Sequence, residues 1–437
     1  MSLHQMKIND RGHLEIGDCD TVELARQYGT PLYVYDEMKI RQNARRFLLA
    51  FQQSGCSFQV AYASKAFSCI AMAELAEEEN LSLDVVSGGE LYTALKAGFP
   101  AERIHFHGNN KSEKELRMAL DAEIGCFVVD NFFELELLHD LAREYQREVK
   151  ILLRLTPGIE AHTHKYITTG QDDSKFGFNV KNNHALIAIK ESLNKPYFHL
   201  SGVHFHIGSQ IFDVHGFVQA IRMIRKHLDH VHEETGYEVE VLNVGGGFGI
   251  QYTEEDHPAS IENYIQTITS EVKSEWEKRG LKFPEIWVEP GRSLVGNAAI
   301  TLYRVGAIKD IPGIRKYVSV DGGMTDNIRP ALYQAKYHAV LANRAGESPH
   351  EEVAIAGKCC ESGDILVRNI HLPKVNSGDL LALFSTGAYG YSMASNYNRL
   401  PRPAVVFVKN GKSRIVIKRE TYEDLIQNDR RKQVFAY

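Results

Sequence analysis

Lys65 closes the run Gln59-Val60-Ala61-Tyr62-Ala63-Ser64-Lys65-Ala66. A short apolar stretch ending on a lysine among small residues reads as a strand with an amine at its carboxyl end. Facing a cavity there, the lysine loses solvation, its ammonium form is disfavoured, and a nucleophilic amine becomes available to a carbonyl. The alternative is a solvated lysine snorkelling off a strand end. Gly245-Gly246-Gly247-Phe248-Gly249 presents backbone N–H groups that no side chain shields, which suits a phosphate. It reads equally as a sharp strand-to-loop turn. No P-loop lysine and serine follow it, and the spacing fails the dinucleotide fingerprint, which argues against NAD. Glu289-Pro290-Gly291-Arg292 sets a carboxylate at a strand tip with an arginine three residues on, either an anion site or a surface ion pair.

His204 and His206 stand two apart in one strand candidate and so share a face. A metal-dependent barrel hydrolase would use this pattern, with His105, His107 and Asp130 as further ligand candidates. A stacking or core histidine is the better reading of His206, and no metal is expected. His162 and His164, in a polar loop, read as solvated. In Cys359-Cys360-Glu361-Ser362-Gly363-Asp364 a thiol stands beside a carboxylate and a turn, as an acid, a ligand or a structural group. Adjacent cysteines bridge each other poorly. Ser87-Gly88-Gly89-Glu90 reads first as a capping box and second as a site carboxylate.

These groups need elements to hold them. Eight strand candidates run through the first two thirds of the chain: 60–64, 82–86, 104–107, 126–129, 151–155, 202–206, 241–244 and 286–289. Amphipathic helices alternate with them. Phe217, Ala220, Ile221, Ile224 and Leu228 form one apolar face, and Ser112 with Glu115 makes a capping box before another helix. Eight such alternations predict an α/β (β/α)8 TIM-like barrel over 36–290, with a doubly wound open sheet as the rival. Beyond 290, runs at 301–308, 317–320, 352–356, 380–384, 404–408 and 413–418 are parted by turn residues, with Asn410-Gly411 as the strongest hairpin signal. They predict a mostly antiparallel β domain over 291–437, joined by residues 1–35 through Leu14–Ile16 and Leu32–Tyr35.

Length and composition agree. The chain has 437 residues, 43% hydrophobic and 24% charged, with a net charge of −6, as expected of a soluble two-domain protein without a nucleic-acid partner. Arg430-Arg431-Lys432 reads as a solvated tail. No run approaches the length of a membrane span and the N-terminus has no signal-peptide core. Six cysteines, without metal or disulfide spacing, point to a reducing, cytoplasmic setting.

In order along the chain, Tyr62–Ala66, His204–Gln210, Gly245–Gly249, Glu289–Arg292, Arg329-Pro330-Ala331-Leu332-Tyr333, Cys360–Asp364 and Gly387-Ala388-Tyr389 resemble the fold-type III pyridoxal-phosphate decarboxylases, with their alanine racemase-like barrel. The stretch 158–164, followed by 170–177, looks like the diaminopimelate branch rather than the ornithine or arginine branches. The resemblance implies pyridoxal 5′-phosphate as cofactor and decarboxylation of meso-2,6-diaminopimelate to L-lysine. It implies that Lys65 carries the cofactor, that Glu289 meets the pyridine nitrogen and that His206 stacks on the ring. Ser209, Gly245, Gly246, Gly247, Gly291 and Arg292 would hold the phosphate, with Tyr389 also at the cofactor. Arg292, Arg329, Tyr333, Glu361 and Tyr389 would bind substrate, arginine suiting carboxylates and Glu361 an ammonium. Cys360 would be the proton donor, since the family pattern sets it directly before the glutamate, and Cys359 would be structural. The resemblance further implies a homodimer with shared sites, in which Cys360, Glu361 and Tyr389 enter from the partner.

Overall fold

A computed structural model describes residues 7–158 and 173–431. Most of the sequence signature (159–164, with His162 and His164, and 170–172) and Lys432 of the basic tail lie outside the described residues. The chain forms two compact units, Lys39–Gly296 and Met1–Met38 with Asn297–Tyr437.

The first unit is a closed barrel of eight parallel strands: β1 (Phe58–Ala63), β2 (Ser82–Val85), β3 (Ile104–Phe106), β4 (Cys126–Val129), β5 (Val149–Thr156), β6 (Phe198–His204), β7 (Val241–Asn243) and β8 (Glu285–Val288). Neighbours pair in sequence order, and β8 pairs with β1 to close the ring. Closure settles the choice against an open sheet. Period-2 side chains fill the interior: Cys126 and Val128 of β4 meet Leu152, Val241 and Trp287 from β5, β7 and β8. His105 lies flat on Trp287, with centroids 4.3 Å apart and planes 9° from parallel. Between strands, the helix His215–Thr235 buries Phe217, Ala220, Ile221, Ile224 and Leu228, and Ser112 and Glu115 close a reciprocal capping box.

The second unit is a mixed, mainly antiparallel sheet. Ala299–Ile311 is its long central strand, pairing antiparallel with Leu32–Asp36, Arg315–Val320 and Leu380–Phe384. Leu32–Asp36 also runs parallel to Ala404–Lys409. That strand turns back through Asn410 and Gly411, both with positive φ, into Lys412–Ile417. Leu14–Ile16 does not join this sheet. It pairs with Lys7–Ile8 and Cys19–Asp20 in a sheet of its own, while its side chains enter the same core as Leu32, Val34, Ile300, Leu302 and Val406. The sequence reading missed Ile365–Leu372, because its burial follows no clean alternation.

Candidate active site

In the barrel unit the singled-out residues gather at the carboxyl ends of β1, β6, β7 and β8. Lys65 stands on the turn Ser64–Ala66, just past β1, with both flanking residues buried. The residue as a whole is exposed in this chain, where a strand-end lysine facing a cavity was expected. The reason is position: two residues beyond the strand, the lysine is no longer clamped between neighbouring strands. The β8 loop packs against this turn. The Ala63 N–H donates to the Pro290 carbonyl at 3.2 Å, and a Cβ on Gly291 would sit 3.1 Å from Ala63 Cβ and Ala66 Cβ.

Glu289, buried just beyond β8, is the most elaborately held group. Asn243 Nδ2 donates to its Oε1 at 2.5 Å and His204 Nε2 donates to its Oε2 at 3.1 Å. His107 Nε2 comes within 2.8 Å of Oε1 without in-line hydrogen-bond geometry. Burial pushes the Glu289 carboxyl up, but His107 and His204 outweigh it and hold the group well below the usual carboxylate range. Burial also drives His204 down to about 4 against the opposing pull of Glu289, so a neutral imidazole donates to an ionised carboxylate. Asp84 on β2 sits beneath this cluster, its Oδ1 3.8 Å from His107 Nε2. Burial raises Asp84, against His107 and with Glu289.

The expectation that His204 and His206 share a strand face fails. β6 ends at His204, which points inward to Glu289, whereas His206 lies beyond the strand and accepts from the Gly246 N–H at Nδ1, 3.2 Å away. Burial, then Lys65, holds His206 well below the ordinary imidazole range. The glycines are demanded by crowding as well as by turning. A Cβ on Gly246 would lie 2.2 Å from the Glu289 carbonyl oxygen, and Gly245 and Gly247 have φ of +71° and +99°. The Gly245 N–H is already donated to Asn243 Oδ1. Asn243 thus ties the glycine turn to Glu289.

Buried Arg292 donates to the Tyr252 hydroxyl at 2.5 Å and to Ser209 Oγ at 2.9 Å. A guanidinium among hydroxyls beside a glycine turn is a donor set for a phosphate. With an amine on the neighbouring turn and a fixed carboxylate across from it, these residues fit pyridoxal phosphate. The expected capping box at Ser87–Glu90 closes only halfway: Ser87 Oγ accepts the Glu90 N–H at 3.2 Å, but the Glu90 carboxylate reaches past Ser87 to the Val86 N–H at 2.8 Å, and burial raises it to about 7.

The remaining candidates belong to the β unit. Arg329 opens the short helix Arg329–Tyr333 and donates to the Tyr337 hydroxyl at 2.6 Å; Tyr333 closes that helix. Cys360 and Glu361 are exposed on the loop between Glu351–Ala356 and Ile365–Leu372, and Tyr389 has a φ of +57°. Cys359 is buried, and that burial pushes its thiol up to about 11.

Sequence reasoning gave Asn243 and Asp84 no role and offered His107 only as a metal-ligand candidate. The signal was present as polar residues inside apolar strands, but their convergence needed the closed ring.

Residues 37–296 match the family model for the pyridoxal-dependent decarboxylase, pyridoxal binding domain. Over 421 residues the chain is 62% identical to the diaminopimelate decarboxylase of Bacillus subtilis (strain 168), covering 96% of each. The chain belongs to the diaminopimelate decarboxylase family. The Staphylococcus aureus (strain COL) member is 51% identical across 97% of this chain and 99% of its own length. The family's M. jannaschii enzyme, solved in co-complex with L-lysine, superposes with a TM-score of 0.91 at 38% identity, covering 98% of both chains. Family membership makes the chain a pyridoxal-dependent decarboxylase with pyridoxal phosphate as its cofactor. Among the described residues no helix is long and apolar enough to cross a membrane.

Proposed function

We propose that this chain removes CO2 from the D-configured centre of meso-2,6-diaminopimelate, giving L-lysine, with the cofactor joined to Lys65. The observation that carries the reading is buried Glu289 beside the Lys65 turn, bonded by Asn243 and His204 and approached by His107, in a chain 62% identical to a diaminopimelate decarboxylase. Pyridoxal phosphate held here would supply a sink for the electron pair left as CO2 departs. Glu289, kept anionic, holds a proton at the ring nitrogen, which strengthens that acceptance. His206 would cover one ring face, and Arg292 and Ser209 would hold the phosphate near the glycine turn. The guanidinium of Arg329 and the carboxylate of Glu361 suit a substrate with an amino-acid group at each end, which a plain diamine precursor lacks. Cys360 supplies the proton that replaces the lost carboxyl group.

The enzyme works as a homodimer in the cytoplasm, with Cys360, Glu361 and Tyr389 completing the partner's site. All six cysteines are free, in keeping with a reducing compartment. Turnover of diaminopimelate measured beside ornithine, arginine and carboxynorspermidine tests the substrate; faster turnover of any of the three overturns it.

A further inference from the structure

The loop that carries Cys360 is tied down by one side chain of its own, Asp364, and by one from a separate segment, Asn398. On one side, buried Asp364 accepts the Cys359 N–H at 2.8 Å and the Met324 N–H at 2.6 Å. Its carboxylate fills the space over Gly323 and Gly357, where a Cβ would come within 2.4 and 2.1 Å of it. On the other side, Asn398 Oδ1 accepts the N–H of Cys360 itself at 2.7 Å. The consecutive N–H groups of Cys359 and Cys360 are therefore each held by a side chain, which fixes the backbone from which the thiol projects.

Asn398 reaches that position through an uncommon backbone. Asn398 and Arg399 both have positive φ, +53° and +56°. Successive non-glycine residues in this region persist only where surrounding contacts over-determine them, and such strain clusters at functional sites. The contacts are present. Arg399 donates to the Leu425 carbonyl at 2.6 Å and to Asp429 at 2.8 Å. Asn396 Nδ2 donates to Glu420 at 2.6 Å, and the Ser395 N–H to the Thr325 carbonyl at 3.0 Å. The segment 395–399 is thus anchored to the chain around the C-terminal helix Tyr422–Ile426 and to the loop beneath Cys359.

We propose that Asn398 is a positioning residue for the Cys360 thiol, held in its left-handed turn by the Arg399 anchor. This rests on the reading of Cys360 as the proton donor. Asn398→Gly removes the acceptor while accommodating the positive φ, so no backbone strain is added. Asn398→Asp keeps the acceptor. Both are compared with Cys360→Ala in the holoenzyme. Three quantities are read: kcat and KM for diaminopimelate, cofactor aldehyde lost per turnover, and the rate of Cys360 alkylation by iodoacetamide without substrate, mapped by peptide mass.

For Asn398→Gly we expect kcat to fall about fivefold to tenfold, the scale of one lost hydrogen bond. KM should be little changed, cofactor loss should rise in the direction of Cys360→Ala, and the alkylation rate should change at least threefold. Asn398→Asp should recover most of each. If Cys360→Ala is impaired and Asn398→Gly matches the parent on all three, the proposal is overturned while the acid assignment stands. If Cys360→Ala itself matches the parent, the acid assignment falls and alkylation alone decides for Asn398. An unchanged rate then overturns the positioning role, and a shifted one sustains it.

Discussion

Asn243 donates to the Glu289 carboxylate with Nδ2 and accepts the Gly245 N–H with Oδ1. Asn243→Asp keeps the shape and the acceptor but sets a second carboxylate oxygen where the donor was, 2.5 Å from Glu289 Oε1. Two unit charges at that distance repel by about 7 kcal/mol at an effective dielectric of 20, equal to about five pH units. Both groups therefore cannot ionise in the neutral range, and the folded variant keeps one proton that the unfolded chain releases above about pH 4.5. The folded parent holds no such proton, because Glu289 lies well below the usual carboxylate range.

The sign follows from the proton count. The variant's folded pair has a raised pKa, so its stability relative to the parent is lost as pH rises. The slope is about 1.4 kcal/mol per pH unit from about pH 5 to 8, reaching about 5 kcal/mol at pH 8. The assay is urea unfolding of the cofactor-free protein by tryptophan fluorescence. Both tryptophans, Trp276 and Trp287, lie in the barrel unit, so the signal reports that unit. A parent–variant difference that stays flat between pH 5 and 8 refutes the account of Glu289 as a carboxylate held by donors.

Three further outcomes are expected. Lys65→Ala should keep the fold and lose all cofactor fixed by borohydride, whereas peptide mapping of the parent should find the label on residue 65; a label elsewhere removes the assignment. Glu90, raised by burial to about 7, destabilises the fold as pH climbs above its unfolded value. Glu90→Gln should therefore gain stability over the parent between about pH 4.5 and 7 and level off near 3 kcal/mol, as read by melts across that range. Lys111 and Glu134 form a fully buried pair at 2.6 Å. Lys111→Met should cost about 3–5 kcal/mol in denaturant unfolding by stranding a carboxylate, and the added change Glu134→Leu should recover most of it.

Period and punctuation made the architecture readable from the chain. Each barrel strand announced itself as a short apolar run, and seven of the eight fall within a few residues of their observed bounds. The sixth was displaced. His204 and His206 obey the two-residue period on paper, but β6 stops at His204, and the pair divides between the barrel interior and the loop above it. Lys65 was found by its place after β1, yet its exposure could not be found the same way. Solvation depends on what covers a residue, and local pattern carries no record of that.

Residue types and spacing along the chain thus settled the kinds of element, the order of the chemical groups and the family to which they point, because these are properties of neighbours in sequence. The partners of Glu289 were decided elsewhere. Asp84, His107, His204, Asn243 and Glu289 come from five different strands or their ends. They meet only because ring closure brings β2, β3, β6, β7 and β8 to one mouth, where burial converts ordinary histidines and acids into a fixed charge with its donors.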